Sequence, residues 1–330
     1  MYAIPEFKGP FHELIPEFIR YKRALGYSYG KNMVCRLAEM NRFLLQNRLI
    51  SEIAIPESAF NLWISLRNNE TTSNQEKRYT AIHGFAKFLI QNGYQNIFDS
   101  DNPVCKHNDF VPYIYSKEEI SKLFEVSDSF KTESMAYIYR HGVMLPVILR
   151  LLYSTGMRIS EVLALKLKDL EWKSGRINIR DGKNHVNRMI SVSASMKHVL
   201  DEYRKKISFF SNEDFLFHGR DNRPYSYGIV HYVFRQVLKA AGIVPRASGK
   251  YPRIHDLRHG FAILALEQME LQGYDMYTSL PLLSKYLGHK TIVETEHYVR
   301  LTKSSLSKIT TAAADYSPDL FPRMVEDCDE

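Results

Sequence analysis

Apolar residues fall at helical spacing along nearly the whole chain and give way to strict alternation in one place, and that contrast settles the fold class first. Glu13–Leu25 carries Leu14, Ile15, Phe18, Ile19 and Ala24, and Asn32–Leu49 carries Val34, Leu37, Ala38, Met40, Phe43, Leu44 and Leu45. A third helix is expected over Pro56–Asn68, where Pro56 suits a helix start, and a fourth over Ser73–Asn92, stopped by Gly93. Four helices with short connections predict a small bundle. Helical spacing returns over 116–127, 141–155, 158–168, 194–206, 226–241, 256–270, 280–287 and 291–300. The exception is Arg176-Ile-Asn-Ile-Arg180, which alternates with period two. Asp181-Gly182 then reads as a turn and Met189–Val192 as a returning strand. The chain is therefore expected to be mostly α with a small antiparallel β-sheet.

A length of 330 residues suits two domains at roughly 100–200 residues each. Residues 99–115 (DSDNPVCKHNDFVPYIY) hold two prolines and little periodicity, as a linker would. Ser116-Lys-Glu-Glu119 follows at once with the pattern of a helix-start capping box. The expected division is a helical N-terminal domain at 1–107, a linker at 108–115, an α+β domain at 116–314 and an acidic tail at 315–330.

Net charge is +7, with 44 Lys and Arg against 37 Asp and Glu. The excess is uneven: 13 basic against 10 acidic residues in 1–107, 30 against 21 in 108–314, and one against six in 315–330. A basic middle makes a polyanion a plausible partner without proving one. No apolar run reaches the roughly 18 residues of a membrane span, and the longest, Val143–Tyr153, is broken by Arg150. The opening MYAIPEFKGPFHELIPEF has early acids and prolines and no signal-peptide pattern. Cys35, Cys105 and Cys328 are too few and too scattered for a disulfide framework or a zinc site. A reducing cytoplasm is the expected compartment.

Four short segments of the second domain could carry chemistry. In Ser154-Thr-Gly-Met-Arg158-Ile-Ser-Glu161 a glycine breaks an apolar helix just before an arginine. That places a charge at a corner held from both sides, or else an exposed Arg pairing with Glu161 three residues on. In His255-Asp-Leu-Arg258-His259-Gly, His255 and Arg258 share a helix face and suit a phosphate oxygen, or are simply a solvated helix start. Gly288-His289 is followed nine residues later by Tyr298. The chain has 21 tyrosines, so one tyrosine taken alone is far more easily a packing residue than a nucleophile.

Taken in order, these segments resemble the tyrosine recombinases, the phage-integrase and Xer-like site-specific DNA recombinases. STGMRISEVLAL is similar to that family's first box, HDLRHGFA to its second, and LGHKTIVETEHYVR to its third, tyrosine-bearing box. The resemblance spans roughly 112–300, with a looser likeness of TTSNQEKRYTAIHGFAKFLIQNG to the core-binding, SAM-like helical domain. It implies a two-domain, C-shaped clamp on double-stranded DNA and phosphodiester attack by a tyrosine, with no metal and no cofactor. Tyr298 would be the nucleophile, Arg158 and Arg258 the phosphate-gripping arginines, and His255 and His289 further phosphate ligands or proton carriers. Lys183, at the expected hairpin turn, would be the general acid, with Lys173 as competitor. Glu161 would orient the active-site Arg and Lys.

Softer DNA contacts are expected at Ser73, Asn74, Lys77, Arg78 and Lys87, and at Tyr225, Tyr227 and Arg235. A solvated face is the alternative for each. Between Arg258 and His289 lie 30 residues, more than the family usually has; the surplus, Gln268–Tyr277, reads as a polar loop. Beyond Tyr298, Leu301, Leu306 and Ile309 suggest a short helix face, which in relatives packs on a neighbouring protomer and so couples a tetramer on two DNA sites. A non-catalytic DNA-binding relative and a type IB topoisomerase are the other readings.

Overall fold

The computed structural model describes residues 2–100, 112–130, 135–180, 187–219, 222–245, 249 and 251–299, with backbone alone at 135–141. Lys183, the tail from 301 and residues 108–111 of the expected linker lie outside the described residues. The chain divides into two units, Met1–Phe110 and Val111–Glu330, and each is described by itself. As expected, it is mostly helical with one small antiparallel sheet. Among the described residues, no helix is long and apolar enough to cross a membrane.

The first unit is built on α1 (Leu14–Ala24), α2 (Lys31–Gln46), α3 (Glu57–Ile64) and α4 (Thr72–Gln91). Their apolar faces meet in one core that includes Phe11, Phe18, Leu37, Phe60, Trp63 and Phe85. The third helix stops four residues short of expectation. Beyond it Glu70 turns back, its carboxylate accepting from the Arg67 backbone at 3.2 Å and from Arg78 Nε at 2.9 Å.

That ion pair corrects the expectation for Arg78. Its side chain has no exposed surface. Nη2 donates to the Ser65 carbonyl at 2.7 Å and to Glu70, and the guanidinium lies 5.3 Å from the centre of the Trp63 ring. Arg78 therefore ties the end of α3 to α4, with its side chain buried in the unit. Its hydrogen bonds hold the Glu70 carboxyl below the usual range against the cost of burial. Asn74 is also occupied: Nδ2 donates to Glu70 at 2.6 Å and Oδ1 accepts from Arg36 at 2.7 Å. Ser73, Lys77 and Lys87 sit at exposed positions of α4.

The second unit opens with α5 (Lys117–Ser129), whose capping box is present: Ser116 Oγ accepts from the Glu119 backbone at 3.1 Å, and Glu119 accepts from the Ser116 backbone at 2.8 Å. The long α6 (Met135–Thr155) ends at Gly156, and α7 (Ile159–Ala164) follows. The helix expected over 158–168 is cut at Ala164. The chain extends there, the Leu165 carbonyl accepting from Leu216 at 2.7 Å, before one 3₁₀ turn at Leu167–Asp169.

The sheet has the order β1 (Leu170–Glu171), β2 (Arg176–Ile179), β3 (Arg188–Ser191), all antiparallel, with Arg176 opposite Ser191 and Ile179 opposite Arg188. Among the described residues the rest of the unit is α8 (Ala194–Lys206), α9 (Tyr227–Ala240), α10 (Asp256–Leu271), α11 (Met276–Leu287) and α12 (Val293–Val299). The large core joins α5 to α9 and the sheet, and a smaller cluster of Ala262, Ile263, Leu266, Leu283, Leu287 and Tyr298 binds α10, α11 and α12 together.

Two further expectations change. Tyr225 is 6% exposed and packs in the core, where burial pushes its hydroxyl well up. Tyr227 is 53% exposed at the start of α9, and exposed Arg235 lies 5.4 Å over the Tyr251 ring. The surplus at 268–277 is mostly helix, not loop. The α10 helix runs on to Leu271, and α11 begins at Met276 behind Asp275, whose side chain caps the Thr278 backbone at 2.9 Å.

Candidate active site

The site forms where four chain segments meet in the second unit. Gly156 makes the first corner. It has φ +61°, and a Cβ there would lie 2.3 Å from the Phe261 ring, so only glycine fits between α6 and α10. Its carbonyl thereby faces α10 and accepts from Arg258 Nη1 at 2.6 Å. Gly288 makes the second corner. It caps α11 with φ +69°, and a Cβ there would meet Arg188 Nη1 at 2.8 Å. The Gly288 carbonyl accepts from Arg158 Nη2 at 3.3 Å.

Arg258 is 1% exposed and acts as a hub. Besides Gly156, Nη2 donates to the Leu287 carbonyl at 2.9 Å and lies 3.0 Å from His289 Nε2. His289 Nδ1 is 2.8 Å from the hydroxyl of Thr295 on α12, so both ring nitrogens are fixed. Burial, with Arg158 nearby, lowers the Arg258 pKa to about 10, which still leaves it charged at neutral pH.

Arg158 sits at the start of α7. Its backbone N–H and its Nη1 both donate to Glu161, at 2.9 and 3.0 Å. The structure adds a partner the sequence did not suggest. Arg188, on β3, donates twice to the same carboxylate, Nη1 to Oε1 at 2.9 Å and Nη2 to Oε2 at 2.7 Å. Glu161 thus carries a second, bidentate ion pair beyond the i+3 partner visible in sequence. Burial would raise the Glu161 carboxyl, but the hydrogen bonds from Arg188 and Arg158 hold it below the usual range.

Tyr298 is 3% exposed. Burial raises its hydroxyl, against the opposing charge and hydrogen bond of Arg258. A second unforeseen residue meets it: His259 Nδ1 lies 3.0 Å from the Tyr298 hydroxyl. His255, one helical turn earlier, stands edge-on to His259 with ring centres 4.8 Å apart. Burial and nearby cations lower His259 to about 4 and His255 to about 3, so both are neutral at pH 7. The i, i+4 spacing of the two histidines on one helix was the only sequence signal for His259.

Arg158, His255, Arg258, His289 and Tyr298 thus come together with Glu161, Arg188 and His259. Lys183 lies outside the described residues, and Lys173 is exposed on the turn between β1 and β2. Arg158 and Arg188 share the Glu161 carboxylate while Arg258 is bound to carbonyls, leaving a surplus of positive charge in a partly buried site. Such a surplus calls for an anion with several oxygens, such as a phosphodiester. Among the described residues no group of three His, Cys, Asp or Glu could hold a metal ion.

The buried Glu161 pair has a measurable consequence. Glu161→Gln leaves Arg188 buried beside a neutral amide and should destabilise the protein by about 3–5 kcal/mol, as when one partner of a buried pair is lost. Because the folded carboxyl is held below its unfolded value of about 4.3, its contribution is complete above that pH and is lost as the pH falls through the folded value. Denaturant melts from pH 7 to 3 should therefore fall more steeply for the wild type than for Glu161→Gln. Parallel curves would show that the pair is not coupled to folding.

The family model described as the Phage integrase family matches residues 115–305. A putative integrase/recombinase, y4rB, from Sinorhizobium fredii is 25% identical over 88% of this chain and 92% of its own length. The tyrosine recombinase XerC of Staphylococcus epidermidis is 27% identical over 83% of this chain and 86% of its own. Among solved structures, the XerH site-specific recombinase in a post-cleavage complex with its palindromic difH substrate has a similar fold. Its TM-score is 0.64 at 18% identity, over 96% of this chain and 99% of that one.

Proposed function

The chain belongs to the phage integrase family, the tyrosine recombinases that cut and rejoin DNA, and on that premise we propose that it is a site-specific recombinase acting through a 3′-phosphotyrosyl intermediate formed by Tyr298. The observation that carries this reading is the setting of the Tyr298 hydroxyl. It is buried beside Arg258 and 3.0 Å from His259, a cationic and imidazole environment that a packing tyrosine does not need.

In the forward step the Tyr298 oxygen attacks the phosphorus, its proton passing to one of the two proton carriers His255 and His289, and the bond to the 5′-oxygen breaks. Arg158 and Arg258 hold the non-bridging oxygens as charge grows on the phosphorane, because fixed guanidinium forks do this without reorganising. His255 and His289 are further ligands or proton carriers at the same oxygens. The leaving 5′-oxygen takes a proton from Lys183. The phosphotyrosyl bond conserves the energy of the phosphodiester, so a 5′-hydroxyl from either duplex can reverse the step without ATP. Two duplexes exchanging strands require four cleavages, one per protomer, hence a homotetramer on two double-stranded sites in the cytoplasm or nucleoid. The C-terminal tail would be exchanged between protomers. Integration, excision, transposition and dimer resolution share this chemistry.

The direct test is trapping on a nicked suicide duplex. The wild type should yield a denaturant-resistant protein–DNA adduct. Binding without adduct would make the chain a non-catalytic DNA-binding relative, and relaxation of plasmid with no exchange between two sites would make it a topoisomerase. The acid is tested separately. Lys183→Ala should cleave an ordinary phosphodiester poorly and a 5′-bridging phosphorothiolate well, since a sulfur leaving group needs no proton. Rescue of Lys173→Ala instead would move the acid to the turn between β1 and β2.

A further inference from the structure

The imidazole on the Tyr298 hydroxyl is neither of the two that the sequence assigned. His289 is held by Arg258 and Thr295, at 3.0 and 2.8 Å, and its ring centre is 6.3 Å from that of Tyr298. His255 faces His259 edge-on. His259 alone, among the described residues, brings a ring nitrogen to the phenol, Nδ1 at 3.0 Å. We infer that His259 is a positioning residue for the recombination reaction: its Nδ1 takes the hydrogen bond of the Tyr298 hydroxyl and so fixes where the attacking oxygen lies. This rests on the assignment of Tyr298 as nucleophile.

Three features support the role. His259 is on α10, the helix that also carries Arg258, so the group that orients the nucleophile and the group that grips the phosphate move as one body. Tyr298 is on α12, a helix of seven residues, too short to hold its own orientation without such a tether. Burial and nearby arginines keep the imidazole neutral at pH 7. A ring with so little proton affinity is a poor sink for a phenol proton but a good hydrogen-bond acceptor. Orienting, not deprotonating, is thus what this environment favours.

The test uses amide replacements that differ only in reach. In His259→Asn the amide falls where Nδ1 was; in His259→Gln it falls near Nε2. With DNA saturating, His259→Gln and His259→Ala should form the covalent adduct about a hundredfold more slowly, the cost of a nucleophile displaced by an ångström or so. His259→Asn should stay within about tenfold of the wild type, the worth of one altered hydrogen bond. Affinity for a half-site should be unchanged in all three. A general loss of folding would slow Asn and Gln alike, so equal rates for those two variants would overturn the inference. Rescue of His259→Gln by a 5′-bridging phosphorothiolate would also overturn it, by placing His259 on the leaving group. An adduct formed by Tyr298→Phe with His259 intact would instead overturn the nucleophile assignment itself, a distinct failure.

Discussion

Tyr298→Phe should abolish covalent adduct formation, a loss on the order of six decades by comparison with removal of other enzymatic nucleophiles. The substitution deletes one oxygen and no charge. The ring stays in the apolar cluster of Ala262, Ile263, Leu266, Leu283 and Leu287, so packing is kept. What is lost is the hydroxyl's hydrogen bonding to His259 Nδ1 and to Arg258, each worth about 1–3 kcal/mol. The variant should therefore fold, bind a half-site within a few-fold of wild type and leave a nicked suicide substrate untouched. Denaturing gels and gel shifts on the same samples read both quantities. A denaturant-resistant adduct would transfer the nucleophile to another residue.

Arg258→Lys is expected to cost at least about two orders of magnitude in single-turnover cleavage, the scale for one preorganised donor to a developing anion. Charge is conserved, but geometry is not. Arg258 reaches the Gly156 carbonyl at 2.6 Å through one nitrogen, and the Leu287 carbonyl and His289 at 2.9 and 3.0 Å through another. A lysine has one nitrogen and cannot span them, so at least one buried carbonyl loses its donor at a cost of about 1–3 kcal/mol. Stability should fall together with rate, while binding of duplex DNA, set by net charge, changes little. A cleavage rate close to wild type would make Arg258 a structural brace.

Much of this was legible in the sequence. The alternation in Arg176–Arg180 gave a strand observed at Arg176–Ile179, and helical spacing over 256–270 gave a helix observed at Asp256–Leu271. The strand at Leu170–Glu171 was missed because two residues are too few to show a period. Arg78 was misread because a charged residue on an otherwise ordinary helix looks solvated; its partner Glu70 lies in the turn before the helix, where no spacing rule connects them. Arg188 escaped for a related reason. It opens a short strand, and its partner Glu161 is 27 residues away on another element. Motif order picked out candidate residues that the fold brings together, but only the fold could show what holds them.

The Arg258 and Arg158 anchors also bear on how such a protein is made. Arg258 grips a carbonyl 102 residues upstream, and Arg158 grips one 130 residues downstream. A half-translated chain, or a fragment cut between α9 and α10, holds one side of each grip and none of the other. The candidate site is therefore incomplete until the residues around 288–298 have been made and can close the circuit.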